Sequence, residues 1–390
     1  MTVTPSRSVG LACGHYDRGE CRSCGWLDRA YVDQLAAKDA HARSLLSRWA
    51  DVEWLAPAAS RREGFRNKAK MVVAGTADAP TLGILDPRGR GVDLRDCPLH
   101  EPAIVAALPA LAEFVGRSRL EPYDVATRRG ELKHLLVTAA PSGELMARLV
   151  LRSEEGVARI RKHLDVLQDD LPALAVVSVN LQPAHAALLE GDREIPLTAS
   201  QTLAMRVNGI DLHLRPQSFF QTNTAVAAEL YRQARAWVSE VDVDEAWDLY
   251  CGVGGFALHL AGADGAGAPA RHVTGVEVSA SAVESARRTA AEVGASARFL
   301  VGDATTAAAE LGTAPDLVVV NPPRRGIGEE LATWLERSPD VRTVLYSSCN
   351  ATTLARDLAT MPTLRPVRAQ VLDMFPHTGH HEVLTLLRRA

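Results

Sequence analysis

Residues 245–256 read EAWDLYCGVGGF, and this stretch decides the fold of the second half of the chain. An apolar strand, 245–249, runs directly into a turn with three glycines, and a helix is predicted after the turn. Glycine allows a tight turn and a close approach of the backbone to a ligand. Such a turn is typical of nucleotide-like cofactor sites, but alone it does not separate one cofactor from another.

The strand–helix pattern of this stretch continues to the end of the chain. After about residue 205, apolar β-rich segments alternate with helix-like segments. The predicted strands are Glu245–Leu249, His272–Glu277, Ala297–Val301, Leu317–Val320 and 343–347. This α/β alternation predicts a Rossmann-like, doubly wound parallel sheet over residues 206–390, with ligands outside the carboxyl ends of the strands.

Four of these strand ends carry residues that suit one cofactor. Gly252 lies in the glycine-rich turn, and Glu277 ends the second strand, where an acid accepts both ribose hydroxyls. Asp303 follows the third strand and is expected at the adenine edge, and Asn321 follows the fourth. In this order the four signals favour S-adenosylmethionine over a nicotinamide cofactor. Taken alone, each of them fits an ordinary turn residue equally well.

The fifth predicted strand delivers a cysteine to the same edge of the sheet. Residues 348–350 read SCN, and Asn350 or Thr352 can cap the next helix. The amides and dipole of a helix N-terminus favour a thiolate, which is the form that a nucleophile needs. The tripeptide alone fits a buried core cysteine equally well. The position beside the predicted cofactor favours Cys349 as a nucleophile.

Residues 373–382 read DMFPHTGHHE and supply a candidate base. Glu382 enters the last predicted strand, 383–387, and we interpret it as a general base. The alternative is a solvated acid at a strand edge. The histidines and acids also suggest a metal site, but Pro376 and Gly379 disfavour the helix that would align the histidines.

A cysteine, a base and a methyl donor are the groups that methylation at C5 of uracil requires. C5 is a poor nucleophile until a thiolate adds to C6 and turns the ring into an enolate. C5 then attacks the methyl group, a base removes the C5 proton, and the thiolate leaves. Neither ring face is reachable within a stack, so the target base must be unstacked or flipped out.

The first half of the chain has a different pattern. Residues 1–60 contain a cysteine- and glycine-rich loop followed by a predicted amphipathic helix over 31–49. Residues 61–205 mix short strands with helices and predict an α+β domain. The predicted strands are 69–75, 135–139, 145–151 and 175–180, and the predicted helices are 101–115 and 156–168.

Four of the six cysteines, Cys13, Cys21, Cys24 and Cys97, lie in the first quarter of the chain. The N-terminus has no apolar signal region and no stretch is long enough to span a membrane, so we expect a cytoplasmic protein. In that reducing compartment these cysteines are expected to be ligands rather than disulfides. Four thiolates hold either zinc or an iron–sulfur cluster, and the spacing leaves both open.

The composition of the 390 residues is that of a soluble globular protein, with 47% hydrophobic residues and a net charge of −4. Any basic surface for nucleic acid must therefore be local. Residues 61–70, RREGFRNKAK, carry five cations and one anion. This segment is either a solvated basic face or a site of phosphate contacts.

Together these motifs resemble the bacterial RNA uracil-C5 methyltransferase family, which includes RumA, RumB and TrmA. The resemblance is carried by FFQTN at 219–223, the glycine-rich loop, NPPRRG at 321–326, SCN at 348–350 and DMFPHTGHHE at 373–382. It implies that Gln221, Tyr250, Glu277 and Asn321 contact S-adenosylmethionine. Tyr250 stands where phenylalanine is common and Asn321 where some members have aspartate.

The resemblance also implies roles for the remaining motifs. Cys349 would attack C6 of uracil and Glu382 would remove the C5 proton. The four N-terminal cysteines would hold a [4Fe–4S] cluster. Because methyl transfer moves no net electrons, we expect such a cluster to act in folding or RNA positioning rather than in redox turnover. Within the family the chain resembles the RumB branch, whose members lack an N-terminal TRAM domain and modify 23S rRNA.

The expected partner is thus a single-stranded or hairpin-loop uridine of 23S rRNA, with no DNA or membrane partner, and the expected state is a monomer. The nearest alternative is the same chemistry on tRNA or on another rRNA uridine. Two further alternatives are an iron–sulfur redox or radical enzyme and a non-catalytic RNA-binding module. Both leave Cys349 and Glu382 unexplained.

Overall fold

The computed structural model describes residues 11–186, 188–262 and 271–390. The first ten residues of the predicted segment 1–60 lie outside the described residues. The expectation that the N-terminus has no signal region falls on this part of the chain. The described chain forms two compact units. The central unit comprises Leu11–Gly25 and Arg62–Leu203, and the C-terminal unit comprises Trp26–Arg61 and Ala204–Ala390.

The chain begins with a short helix in the central unit and then contributes two elements to the C-terminal unit. These are α1 (Gly14–Asp17), followed by α2 (Tyr31–Leu45) and β1 (Glu53–Trp54). The sequence predicts an amphipathic helix as far as residue 49, but α2 ends at Leu45. Its buried face consists of Gln34, Lys38 and Ala42, spaced four residues apart, so the face is mostly polar.

Besides α1, the described part of the central unit contains a seven-stranded sheet and two longer helices. Its elements are β2 (Lys68–Gly75), β3 (Pro80–Leu85), β4 (Gly91–Asp93), α3 (Pro102–Arg117), β5 (Leu132–Ala139), β6 (Leu145–Leu151), α4 (Val157–Asp170), β7 (Leu174–Leu181) and β8 (Arg193–Pro196). The strand order is β4-β3-β2-β5-β6-β7-β8. All pairs are antiparallel except β6 and β7, which α4 connects. Apolar side chains of α3, α4 and the strands form one core.

The C-terminal unit contains a small two-stranded sheet and a large eight-stranded sheet. Its further elements are β9 (Leu203–Val207), β10 (Ile210–Leu214), α5 (Thr224–Ser239), β11 (Glu245–Leu249), α6 (Gly255–Leu260), β12 (His272–Glu277), α7 (Ala280–Val293), β13 (Ala297–Val301), α8 (Ala304–Glu310), β14 (Leu317–Val320), α9 (Gly328–Arg337), β15 (Thr343–Ser348), α10 (Ala351–Thr360), β16 (Leu364–Leu372) and β17 (Glu382–Arg389).

The large sheet is mixed rather than wholly parallel as the sequence predicts. Its order is β1-β16-β17-β15-β14-β11-β12-β13, and the strands from β11 to β15 are parallel. β17 runs antiparallel to both β15 and β16. The difference arises because no helix crosses over between β16 and β17, so the chain reverses direction there.

Side-chain caps begin four helices at the carboxyl edge of this sheet or beside it. Asn223, Ser279, Asp303 and Asn350 each accept a backbone N–H of the first helical turn, which stabilises the helix start. The strands between them are buried on both faces and are accordingly rich in valine and leucine. No helix in the described part of the chain is long and apolar enough to cross a membrane.

Candidate active site

The glycine-rich turn after β11 has a backbone that ordinary residues rarely adopt. Tyr250, Gly252 and Gly254 all have positive φ, at +70°, +54° and +87°. Nothing lies within 4 Å of the position that a Cβ would take on Gly252, so the space beside it is open. In contrast, a Cβ on Gly255 would come within 2.3 Å of the Tyr231 hydroxyl. The turn therefore offers exposed backbone on one side and close packing on the other.

The carboxylates that the sequence predicts for the cofactor follow β12 and β13. Glu277 accepts the amide of Gly252 at 3.2 Å through Oε2 and the amide of Ser279 at 3.0 Å through Oε1. The side chain thus joins the glycine-rich turn to the start of α7. Asp303 Oδ1 caps α8 by accepting the Thr305 amide at 2.9 Å and is exposed.

The strand order brings four of the predicted cofactor residues to one continuous edge. β14, β11, β12 and β13 are neighbours in the sheet, and Asn321, Tyr250, Glu277 and Asp303 stand at or just after their carboxyl ends. Gln221 is buried, with 6% exposure, two residues before the cap of α5. A ligand that spans several strand ends fits this arrangement.

The nucleophile and base candidates stand on neighbouring antiparallel strands. Ser348 at the end of β15 pairs with Val383 in β17. Continuing this register by one residue places Cys349 opposite Glu382, which begins β17. Residues opposite each other in an antiparallel pair lie about 4.5–5.5 Å apart between Cα atoms. Strand pairing therefore fixes Glu382 and Ser348, and Cys349 is the first residue after the paired segment.

Glu382 is fully buried, with 1% exposure. Burial raises the pKa of Glu382 to about 7, and a hydrogen bond from Ser347 opposes this rise. Ser347 Oγ donates to Glu382 Oε1 at 2.5 Å. A carboxyl group whose pKa lies near neutrality can accept a proton in one step and release it in the next.

The environment of Cys349 differs from the prediction that the helix N-terminus makes it a thiolate. Burial, followed by the charge of Glu382, raises the pKa of Cys349, whereas the charge and hydrogen bond of Arg324 oppose the rise. The start of α10 therefore does not outweigh burial. Arg324 is the cation whose charge acts on Cys349. It belongs to the NPPRRG motif, but no role for it could be predicted from the sequence.

Arg324 is fixed to the cysteine loop through its backbone. Its carbonyl oxygen accepts Asn350 Nδ2 at 3.1 Å and the Thr353 hydroxyl at 3.3 Å. Two residues further on, Gly326 has a φ of +83°, and a Cβ there would lie 2.2 Å from a buried carboxylate oxygen of Asp357. The two loops that end β14 and β15 thus form one connected structure.

A buried ion pair holds the segment that leads to Glu382. Lys38 Nζ in α2 lies 2.5 Å from Asp373 Oδ1 and donates to the Phe375 carbonyl at 3.0 Å. Both charged side chains are 0% exposed. Tyr31 donates to Asp373 Oδ2 at 2.8 Å. α2 therefore binds this segment with polar groups rather than with the apolar face that the sequence predicts.

The histidine segment is fixed by hydrogen bonds to the same part of the chain. His377 has a φ of +65°, its amide donates to Gln34 Oε1 at 2.8 Å, and its carbonyl accepts the Trp26 amide at 2.9 Å. Gly379 lies against the Trp26 ring, and a Cβ there would be 3.1 Å from it. The backbone of His377 therefore helps to maintain the conformation of this loop.

The four N-terminal cysteines converge within the central unit. Burial, then the charges of Cys97, Cys21 and Cys13 in that order, raise the pKa of Cys24 to about 12, so the four thiols are near one another. His15 links the two chain segments by contacts with Glu20 at 2.8 Å and Asp96 at 2.7 Å. Across the described ranges no three His, Cys, Asp or Glu side chains are arranged to hold a single metal ion.

The basic segment 61–70 is not one uniform face. Arg61 and Lys70 are exposed. Arg66 is partly buried, and its charge acts on the thiols of Cys24 and Cys97. The cations of this segment therefore lie in two different environments. Arg61 and Lys70 are at the surface, whereas Arg66 is near the cysteines.

Comparison with family models finds two matches. Residues 227–337 match a model described as methyltransferase small domain, and residues 312–390 match one described as tRNA (Uracil-5-)-methyltransferase. The two overlap over residues 312–337, which contain β14, the loop after it and α9.

Comparison with individual proteins finds relatives that match along nearly the whole chain. A protein of Yersinia pseudotuberculosis named 23S rRNA (uracil(747)-C(5))-methyltransferase RlmC is 50% identical over 379 residues, 97% of this chain and 99% of the relative. The protein of the same name from Yersinia pestis has the same identity and coverage. A solved structure of Pyrococcus abyssi tRNA (uracil-54, C5)-methyltransferase with S-adenosyl-L-homocysteine has a TM-score of 0.75 at 26% identity, covering 93% of this chain and 85% of that one.

Proposed function

The chain belongs to the RNA uracil-C5 methyltransferase family, and from this membership we propose that it converts a uridine of 23S rRNA to 5-methyluridine. Identity of 50% to relatives named for uracil(747) supports the same class of RNA. The equivalent of that uridine is the first position to test. A substrate in rRNA also makes the cytoplasm the expected compartment.

The observation that carries the chemistry is the β15–β17 register, whose continuation by one residue places Cys349 opposite Glu382, together with the effect of the Glu382 charge on the Cys349 thiol. In the proposed reaction the Cys349 thiolate adds to C6 of the flipped uracil, which makes C5 nucleophilic. Bound S-adenosylmethionine supplies an electrophilic methyl group, and C5 takes it. Glu382 then accepts the C5 proton, and departure of the Cys349 sulfur restores the ring.

The direction of the Cys349 pKa indicates how the nucleophile is formed. Burial favours the neutral thiol, so a cation must stabilise the thiolate when uracil binds. The charge of Arg324 already lowers the pKa of this thiol against the effect of burial, so Arg324 is the group suited to that role. We therefore assign Arg324 as the residue that promotes attack by Cys349.

The residues proposed to hold S-adenosylmethionine line the edge described above. Gly252 offers open space and an exposed backbone, and Tyr250 stands beside it. Glu277 suits the ribose hydroxyls, because its carboxylate already faces the turn, and Asp303 suits the adenine edge. Asn321 and Gln221 complete the proposed set.

The four converging thiols are proposed to hold a [4Fe–4S] cluster. The donor set fits, because it consists only of cysteine sulfurs and is partly buried. Sulfurs around one zinc ion lie about 4 Å apart, whereas sulfurs around a cluster lie farther apart. Iron and sulfide content of anaerobically purified protein, compared with Cys24→Ser, tests this assignment.

The remaining proposals concern the form of the substrate and the protein. We propose a single-stranded or hairpin-loop uridine, since the base must leave its stack to reach buried groups. We also propose that the protein acts as a monomer, with residues 1–60 bearing the cluster, 61–205 binding RNA and 206–390 carrying the catalytic site.

The experiment that tests the function is methyl transfer from labelled S-adenosylmethionine to unmodified 23S rRNA and to bulk tRNA. Modified nucleosides are identified by mass spectrometry, and Cys349→Ala protein is the control. We expect 5-methyluridine in 23S rRNA only with the native cysteine. Product in tRNA alone would retain the chemistry and reject the rRNA substrate, and no product in either RNA would reject the proposal.

A further inference from the structure

Ser347 is a buried hydroxyl beside the proposed base. It is the penultimate residue of β15 and has 0% exposure. It pairs with Leu384 of β17, two residues beyond Glu382. Opposite residues in a strand pair share a face, and side chains two residues apart in a strand also point to the same face, so Ser347 and Glu382 lie on one face of the sheet.

The hydroxyl has one specific contact. Ser347 Oγ donates to Glu382 Oε1 at 2.5 Å. Among residues 11–186, 188–262 and 271–390, no other side chain hydrogen-bonds to this carboxylate. A buried carboxylate without a donor is strongly disfavoured in its charged form. This side-chain donor therefore orients Glu382 and partly offsets the effect of burial on its ionisation.

We propose that Ser347 is a positioning residue for C5-proton removal, an inference that rests on the proposed function. By donating to Oε1 it fixes the carboxylate and leaves Oε2 as the oxygen that takes the proton. It also favours the ionised form that a base requires. The group is not a catalytic residue itself, because it acts only through Glu382.

The other titratable groups near Glu382 do not obscure this effect. On α5, burial and the charges of Asp248 and Glu382 raise the pKa of Tyr231, so this phenol stays neutral. Burial also raises the pKa of Cys349, which stays a thiol in the free protein. His381, next in the chain, has a pKa lowered by burial and is neutral near pH 7. Asp248, whose pKa burial raises to about 8, is the same in each variant compared.

The structure offers a matched pair of substitutions. Ser347→Thr keeps a hydroxyl, whereas Ser347→Val has nearly the same shape without one. Both residues favour strands and both add volume at the same site. Any effect of packing is therefore common to the pair, and only the hydrogen bond differs between them.

The assay measures release of tritium from RNA that carries [5-³H]uridine, at saturating S-adenosylmethionine from pH 6 to pH 9. Tritium leaves only when the C5 hydrogen is removed, so the rate reports the step assigned to Glu382. A hydrogen bond to a charged group is worth enough to shift its pKa by about one to two units. We expect the rate midpoint of Ser347→Val to rise by that amount, with a loss of roughly tenfold at pH 7.

Three further results are expected. Ser347→Thr restores the native midpoint, the KM for RNA is unchanged in both variants, and Ser347→Val accumulates a denaturant-stable protein–RNA adduct at pH 7 that declines at pH 9. Overlapping pH profiles for Ser347→Val and Ser347→Thr, with native protein active, would overturn the positioning role alone. Native protein that releases no tritium from any RNA would overturn the proposed function as well.

Discussion

Replacing Lys38 with methionine tests whether the buried ion pair fixes the segment before the base. The substitution removes the ammonium group from α2 and leaves Asp373 in a site with 0% exposure. Asp373 then keeps the hydrogen bond from Tyr31 but loses its only charged partner among the described residues. Methionine matches the length of the lysine stem, so packing changes little.

The size of the expected loss of stability follows from the geometry of the ion pair between Lys38 and Asp373. At 2.5 Å and an effective dielectric constant near 20, the attraction is about 7 kcal/mol, most of which offsets the cost of burying both charges. Removing one partner leaves a buried, uncompensated charge, which costs about 3–5 kcal/mol. A domain has roughly 5–15 kcal/mol of stability, so Lys38→Met should lose a large part of it.

The measurement is urea unfolding, with Arg43→Met as the control. Arg43 is on the same helix, but its ion pair with Asp39 is partly exposed, so its loss should cost less than about 1 kcal/mol. In Lys38→Met with Asp373→Asn no charge is left buried, and we expect recovery of about 2 kcal/mol or more. A loss below 1 kcal/mol in Lys38→Met, or no recovery in the double variant, would refute the reasoning.

Three further predictions concern the site and the RNA surface. Cys349→Ala should form no 5-methyluridine while still binding RNA in a filter assay; product from this variant would exclude Cys349 as nucleophile. Because burial raises the pKa of Glu382 from 4.5 to about 7, native protein retains a proton that the unfolded chain releases. Glu382 should therefore contribute a fall in native stability of about 3 kcal/mol as pH rises through this window, and between pH 5 and pH 8 the free energy of unfolding of Glu382→Gln, measured in urea, should fall by about that much less than that of native protein; equal pH dependence would contradict the assignment. Replacing exposed Arg61 and Lys70 with glutamine should weaken RNA binding and lower its salt slope by about one to two, whereas partly buried Lys68→Gln should leave the slope unchanged; a slope unchanged in the surface variant would place the phosphate contacts elsewhere.

The sequence predicts the central strands of the large sheet well, because parallel strands buried on both faces are continuous apolar runs. The direction of β17 could not be predicted in the same way. Its residues look like those of any buried strand, and its antiparallel pairing depends on partners elsewhere in the chain. Strand identity is thus a local property of the sequence, whereas strand order is not.

The candidate site shows the same division. Cys349, Glu382 and the residues at strand ends could be proposed from the sequence because their chemistry is readable from motifs. Ser347 and Lys38 were missed because their roles depend on what they touch after folding. The buried face of α2 is mostly polar, whereas an amphipathic helix is expected to bury its apolar side. Hydrophobic periodicity detects only apolar contacts, so it could not reveal this face.

The contact between α2 and the segment around Asp373 has a consequence for biosynthesis. Lys38 and Asp373 are 335 residues apart in sequence. At about 5–20 residues per second, a ribosome takes roughly 20–70 s to make the intervening chain. Throughout that interval α2 emerges without the partner that neutralises Lys38, and the C-terminal unit cannot close. A nascent chain of this protein therefore forms the buried ion pair that joins α2 to this segment only after residue 373 has been made.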